Sequence, residues 1–160
     1  MRNKSILLLV AILSMSLMAS TCSSDDDGGN GGDNNQQINE WEDTTETGTW
    51  KITLYSDDGE DETYHYVDYS FNFGTNGVLT AQKGDETITG TWSITDDSNS
   101  SDDDDGNSGD IDFNIFFSAP PRFEELSDDW DIVSITDTKI ELTDVSGGNG
   151  GTDHLTFTKN

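Results

Sequence analysis

The feature that most constrains the fold of this chain is the alternation of apolar and polar residues that begins at Gly48. In residues 87–95, threonine and serine alternate strictly with Ile88, Gly90, Trp92 and Ile94. A period of two places one set on the inner face of a β-strand and the other on its outer face. β-Branched and aromatic residues dominate the region, and alanine occurs only twice in it. We therefore predict an all-β domain over residues 48–160.

Similar alternation marks residues 50–55, 67–73 and 111–117, and turn sequences separate these segments. One of the turns contains Asn76 and Gly77, which readily adopt the positive φ of a tight hairpin. With the shorter segments that follow, the pattern predicts about eight short strands joined in sequence order by hairpins. The predicted fold is an antiparallel up-and-down meander closed into a barrel, and a two-sheet β-sandwich is the alternative.

The first strand begins with Gly48-Thr49-Trp50, which resembles the Gly-x-Trp signature of lipocalins, and a second copy stands at Gly90-Thr91-Trp92. Together with residues 126–130 and 155–157, these runs resemble lipocalin-like domains of Gram-negative surface lipoproteins. Lipocalins carry a late arginine packed over this tryptophan, and the last strand here offers Lys159. The resemblance covers residues 48–160 and implies a lipocalin-like barrel whose open end accepts a small apolar molecule.

The interior of such a barrel is either filled by side chains or holds one small ligand. All aromatic residues of the chain except Trp41 lie at or after Trp50, and they can fill the core, which is the alternative we favour. If a ligand cavity exists, its predicted lining is Trp50, Ile52, Leu54, Tyr69, Phe71, Trp92 and Phe113.

The start of the chain has the pattern of a secretory signal. Arg2 and Lys4 are basic, residues 6–13 are apolar, and small residues follow in 14–21. The apolar stretch is shorter than the roughly 20 residues that a membrane span needs. We predict that residues 1–21 are a cleaved signal peptide.

Cys22 is the single cysteine of the chain, so an intramolecular disulfide is impossible. The run from Leu17 to Cys22 resembles a bacterial lipobox, which implies that the cysteine is lipidated and becomes the mature N-terminus. The segment directly behind it resembles an export signal for the outer face of the outer membrane, and comprises Ser23, Ser24, Asp25, Asp26 and Asp27. We therefore expect an outer-membrane lipoprotein displayed at the cell surface.

Residues 22–47 are rich in glycine, asparagine and aspartate and poor in apolar residues, which predicts a disordered acidic tether. The net charge of the whole chain is -26. Such a charge repels nucleic acids and anionic bilayers, so we expect no nucleic-acid partner and membrane contact through the lipid alone.

Catalytic motifs are not evident in the sequence. His65 and His154 lie in different predicted hairpins, and no serine has a nucleophile-elbow context. The acidic loop 96–110 offers oxygen ligands for calcium, but an EF-hand alignment puts Ser101 at its first ligand position. We favour a disordered loop over a calcium site, whose candidate ligands are Asp103, Asp105 and Asp112.

The sequence thus predicts a non-enzymatic, cofactor-free, monomeric lipoprotein whose barrel binds a small apolar molecule or a glycan. The alternative is an accessory or structural module that docks on an outer-membrane protein through exposed aromatic residues. The predicted docking residues are Tyr64, Tyr66 and Phe116.

Overall fold

The computed structural model describes residues 31–96, 111–145 and 151–160, with backbone alone for 31–33. The helical elements are α1 (Gly31–Glu46), a 3-10 helix (Thr63–Tyr66) and α2 (Pro121–Glu124). The strands are β1 (Trp50–Asp57), β2 (Glu60–Asp61), β3 (Ser70–Phe73), β4 (Val78–Lys83), β5 (Glu86–Asp96), β6 (Ile111–Phe116), β7 (Asp128–Thr136), β8 (Lys139–Val145) and β9 (Thr152–Lys159).

The strands form one antiparallel sheet that closes on itself. Its order is β2-β1-β3-β4-β5-β6-β7-β8-β9, and β1 also pairs with β9. Eight strands therefore form a barrel, and the two-residue β2 is an extra strand on β1. The predicted all-β antiparallel meander closed into a barrel is confirmed, rather than the sandwich alternative.

Helical segments lie at both ends of the barrel. Because consecutive barrel strands run in opposite directions, the start of β1 and the ends of β3, β5 and β7 share one end. Helix α1 contacts β3, β5 and β7 and precedes β1, so it lies at this end, which we call the α1 end. The 3-10 helix follows β2 and α2 follows β6, which places both at the opposite end, the α2 end.

Aromatic side chains fill the interior. Phe73 makes edge-to-face contacts with Trp92, Phe113 and Phe157, at centroid distances of 5.3, 5.7 and 5.4 Å. Such pairs stabilise a core beyond the burial of their apolar area. The buried hydrophobic cluster runs continuously from Trp50 through the strands to Phe157, and the α2 segment adds Phe123 and Leu126.

A β-bulge in β1 changes which of its residues face inward. The pairing register between β1 and β9 shifts between Ile52 and Leu54. As a result Leu54 is 38% exposed and Tyr55 is 2% exposed. The prediction that Leu54 shares the inner face of Trp50 was wrong, because one inserted residue reverses the alternation beyond it.

Helix α1 occupies most of the segment predicted to be a disordered tether, and for residues 31–46 that prediction was wrong. Ile38 and Trp41 pack against the barrel core. Thr45 is fully buried, and its carbonyl oxygen accepts a hydrogen bond of 2.8 Å from the indole Nε1 of Trp50. A few well-placed contacts with the barrel therefore order a sequence that has little helix propensity of its own. Residues 22–30 lie outside the described part of the chain.

Helix α2 and the residue after it are held to the barrel by polar contacts. The hydroxyl of Tyr66 donates to the carbonyl oxygen of Arg122, and the hydroxyl of Tyr55 donates to that of Glu125 at 2.9 Å. Burial raises the pKa of both tyrosines, with the carboxylates of Glu62 and Glu125 adding to the effect. Both hydroxyls therefore remain neutral donors that tie α2 to the opposite side of the barrel.

None of the helices among the described residues has the length and apolar character needed to cross a bilayer. Residues 1–21, the predicted signal peptide, lie outside that part of the chain.

Candidate functional site

The residues predicted to line an internal cavity lie mostly in the packed core. Six of the seven are buried, and Leu54 lies on the outer surface. Trp92 stacks on Phe113 at 5.8 Å, and Phe71 packs edge to face on Phe157 at 5.3 Å. Lys159 lies over the ring of Trp50, with Nζ 4.9 Å from its centroid, where lipocalins place an arginine. Close ring contacts of this kind are those of a barrel interior filled by side chains, the alternative favoured from the sequence.

An open groove instead lies on the outside of the barrel, across β5, β6 and β7, and has a volume of about 510 Å³. Three of its outward positions are neighbours in one row, because Ser93 pairs with Asn114 and Asn114 pairs with Asp129. In the next row Thr91 pairs with Phe116. The groove is lined by Thr91, Trp92, Ser93, Asn114, Ile115, Phe116, Ser127, Asp128 and Asp129.

Phe116 is the apolar element of this groove. Its side chain is 59% exposed, although it belongs to a strand whose Phe113 and Ile115 are buried. The outward position of Phe116 follows from the alternation of β6. Phe113 and Ile115 point inward, as does Phe117, which directly follows the strand. Hydroxyl, amide and carboxylate groups surround the exposed ring, so the groove offers one apolar surface and several hydrogen-bonding groups.

The end of the groove nearest α2 is fixed by backbone contacts. The Ser127 hydroxyl accepts a hydrogen bond of 2.8 Å from the backbone N–H of Phe117, and donates to the carbonyl oxygen of the same residue at 3.3 Å. These two hydrogen bonds continue the pairing of β6 with β7 beyond the ends of the strands. It positions Asp128 and Asp129 at the start of β7.

Asp128 has an unusual ionisation. Partial burial raises the pKa of Asp128 to about 6, and its contacts with Asp129 and the charge of Asp144 contribute. The backbone N–H of Asp129 donates to Oδ1 of Asp128 at 2.9 Å and opposes the rise. Near pH 6, this carboxyl is therefore able to act either as a donor or as an acceptor.

We expect Asp128→Asn to make stability less dependent on pH. A carboxyl whose pKa is higher in the folded state than in the unfolded chain binds more protons when folded. The contribution of Asp128 to stability therefore falls as pH rises from about 4 to about 6. The asparagine variant should gain relative stability over that window and keep the gain above it, as measured by urea unfolding at pH 4 to pH 8. An equal shift at every pH would contradict the assignment, and Asp85→Asn, in an exposed turn away from Asp128, is the control.

The other residues singled out in the sequence are dispersed. Cys22, Ser23, Ser24, Asp25, Asp26 and Asp27 lie outside the described residues, as do Asp103 and Asp105 of the calcium candidate. Asp112 lies on β6, where it pairs with Thr95 and Asp131. His65 lies in the 3-10 helix and His154 in β9.

Of the aromatic residues predicted to dock on a partner, two are on the surface. Tyr64 is 66% and Phe116 is 59% exposed. Tyr66 is 1% exposed, so its prediction as a surface residue was wrong. Its ring packs edge to face against Tyr55 and Phe123 because the 3-10 helix turns it into the α2 end of the barrel.

A polar network at the α2 end was not predicted from the sequence. Arg122 Nη2 donates to the hydroxyl of Tyr69 at 2.6 Å and to Oε1 of Glu86 at 3.1 Å. The hydroxyl of Tyr69 in turn donates to the carboxylate of Glu86. These residues are far apart in sequence, and the one available signal was that Arg122 is among only 7 basic residues.

No family model matches the chain, and no curated protein matches it. Among solved structures, it is similar to a DUF4847 family protein from Bacteroides vulgatus, with 16% sequence identity and a TM-score of 0.48. The alignment covers 74% of this chain and 96% of that one.

Proposed function

We propose that this protein is a lipoprotein of the outer membrane, displayed at the cell surface, whose barrel binds a neutral glycan in the outer groove. The observation that supports it most is the position of Phe116 in that groove. An exposed ring flanked by Asn114 and Asp129 provides the two kinds of contact that a sugar requires.

A sugar ring has an apolar C–H face and a rim of hydroxyl groups. The ring of Phe116 suits the face, while the rim can be bound by the carboxylate of Asp129, the hydroxyl of Ser93 and the amide oxygen of Asn114. The Nδ2 of Asn114 already donates to Thr95 Oγ1 at 2.9 Å. The net charge of -26 disfavours anionic polysaccharides. A neutral glycan is therefore the preferred ligand class.

The sequence also suggested a small apolar ligand inside the barrel. The residues that would line that cavity make close ring contacts with one another, as Phe73 does with Trp92 and Phe113. The α1 and α2 ends both carry helical segments. These contacts favour the outer groove over an internal site.

Phe116→Ala should weaken glycan binding by at least about tenfold, because an aromatic residue at the centre of a site often contributes more than 1.4 kcal/mol. The measurement is saturation-transfer NMR with a panel of neutral gluco-, manno-, galacto- and xylo-oligosaccharides, followed by titration of the best binder. Tyr64→Ala, an equally exposed aromatic truncation outside the groove, should bind normally. The groove would be ruled out if both variants bound as tightly as the unmodified protein, or if the panel gave no binder.

Anchoring at Cys22 is tested separately. Wild-type protein in a Gram-negative host should incorporate radiolabelled palmitate and be digested by protease added to intact cells. Cys22→Ser should lose the label and membrane association, because the hydrophobic contribution of acyl chains is what holds such a protein to a bilayer. Cys22→Ser protein that remained labelled would contradict the anchor. A labelled wild type that resists the protease would contradict surface display.

Docking on an outer-membrane protein remains the second candidate. Tyr64 and Val67 are 66% and 50% exposed and are close in sequence at the α2 end. Under this proposal, purification from native membranes should recover a stoichiometric partner that Tyr64→Ala releases. Recovery of the barrel alone, with a bound sugar, would favour the glycan proposal.

A further inference from the structure

Three potential metal ligands converge at the α2 end, outside the groove. One carboxylate oxygen each from Glu62 and Glu125 and a ring nitrogen of His65 all lie within 4.8 Å of one another. His65 Nδ1 is 3.5 Å from Oε2 of Glu62 and 3.9 Å from Oε2 of Glu125. The side chains are partly buried, with exposed fractions of 29% for His65, 30% for Glu62 and 42% for Glu125.

The fold holds two of these ligands through backbone contacts. Glu62 directly precedes the 3-10 helix, and its backbone N–H donates to the carbonyl oxygen of Tyr55 at 2.9 Å. The backbone N–H of His65 donates to the carbonyl oxygen of Glu62 at 3.0 Å. This single turn brings the two side chains to the same side of the helix.

The third ligand comes from a distant part of the chain. Glu125 directly follows α2 as its C-cap residue, and its carbonyl oxygen accepts the hydrogen bond from the hydroxyl of Tyr55. The same tyrosine therefore positions Glu62 through its backbone and Glu125 through its side chain. The cluster is built by contacts that do not depend on its own charges.

The imidazole is oriented by its neighbours rather than by a hydrogen bond. Its ring packs edge to face against Tyr64 at 4.2 Å and Tyr66 at 6.1 Å. His65 Nδ1 is shielded from solvent and has no hydrogen-bond partner among the described residues. A buried polar atom of this kind usually has a partner, and here it is directed toward two carboxylate oxygens.

A transition-metal ion fits the spacing. Zinc binds imidazole nitrogen and carboxylate oxygen at about 2.0–2.2 Å, so two ligands at the tetrahedral angle are about 3.4 Å apart. The observed separation from Glu62 is close to this value, and the more exposed Glu125 needs only a small movement to reach it. An imidazole favours zinc and related ions over calcium and magnesium, which prefer oxygen ligands alone.

We propose that Glu62, His65 and Glu125 form a binding site for a divalent first-row transition-metal ion such as Zn²⁺. The bound ion links the 3-10 helix to the α2 segment. Three protein ligands leave a coordination position for water or for another group. The ion joins two segments that are 60 residues apart at the same end of the barrel. Its binding therefore stabilises the closed α2 end.

The test is titration of Zn²⁺ into the full-length chain, purified in detergent and carrying Cys22→Ser so that its one thiol cannot bind metal. Millimolar calcium is added to the buffer so that weak carboxylate sites elsewhere on the protein are occupied and do not bind Zn²⁺. Calorimetry should show one equivalent of Zn²⁺ bound and a rise in melting temperature. His65→Ala should weaken binding by at least about tenfold, since even outer contacts of a metal site contribute 10–100-fold.

His154→Ala is the matched control, because it removes the other histidine of the chain and should bind Zn²⁺ normally. Glu125→Gln, at a more exposed position, is a second ligand variant and should also weaken binding. Metal-free melting curves establish that each variant is folded. Equal Zn²⁺ affinity in His65→Ala and His154→Ala, or no saturable binding by the unmodified site, would overturn the proposal.

Discussion

Replacing Phe123 by alanine should lower the free energy of unfolding by about 3–5 kcal/mol, the usual cost of truncating a buried phenylalanine. Phe123 is fully buried although it comes from the four-residue helix α2. Its ring packs on Tyr66, Tyr69 and Phe117 at centroid distances of 5.6, 5.1 and 5.1 Å. Its removal should therefore open the α2 end of the barrel.

Urea unfolding followed by tryptophan fluorescence measures this effect. Phe116→Ala is the matched control, because it makes the same substitution at a residue that is 59% exposed, and its effect should stay within about 0.5 kcal/mol. If the two substitutions cost the same, α2 is not part of the core. An increase in binding of an apolar dye by Phe123→Ala alone would further indicate an opened end.

Trp50→Ala should also cost about 3–5 kcal/mol, and it should release helix α1 as well. Trp50 is fully buried, and its indole N–H is bonded to the buried end of the helix at Thr45. Loss of the indole leaves a cavity at the position of the ring, over which Lys159 lies. We therefore expect amide hydrogen exchange in residues 34–46 to become much faster than in the strands.

Trp50→Phe separates the two effects. It keeps an aromatic ring and removes the donor, so it should cost about 1–3 kcal/mol while still accelerating exchange in α1. Asp43→Ala, on the exposed face of the same helix, should leave exchange unchanged. Protection of α1 that survived Trp50→Ala would contradict the contact between helix and barrel.

Much of the barrel could be predicted from the sequence because its strands are local patterns. Ile88, Gly90, Trp92 and Ile94 are all buried on one face of β5, as their alternation predicts. Gly90 lies against the ring of Phe117 and the carbonyl of Phe116, which would clash with any added side chain. Strand order then follows because barrel strands that are consecutive in sequence pair in space, even across the longer connections 97–110 and 117–127.

The failures have physical causes as well. A bulge is a tertiary adjustment, so alternation could not show that Tyr55 replaces Leu54 on the inner face. Helix α1 lacks a strong amphipathic pattern, and its order depends on Trp41 and Thr45 reaching the barrel. Contacts of this kind override weak local propensity and are invisible before the fold is known.

The groove and the metal cluster were missed for a different reason. The exposed position of Phe116 could be predicted, but its neighbours Thr91 and Asp129 come from two other strands, and their placement depends on the exact pairing register. Glu62 and Glu125 likewise meet through tertiary contacts, in which Tyr55 of β1 binds both segments and Tyr66 binds the carbonyl of Arg122. His65 and Phe116 could be singled out from the sequence, but the residues that surround them in space could not.

Chemical-shift mapping of the full-length protein with the tightest-binding neutral oligosaccharide tests whether ligand binds outside a filled barrel. We expect the perturbed amides and side chains to cluster on the outer strand faces at Thr91, Ser93, Asn114, Phe116 and Asp129. Core rings such as Phe71 and Phe73 should be unaffected. Perturbations centred on those core rings would show an internal site and rule out binding in the outer groove.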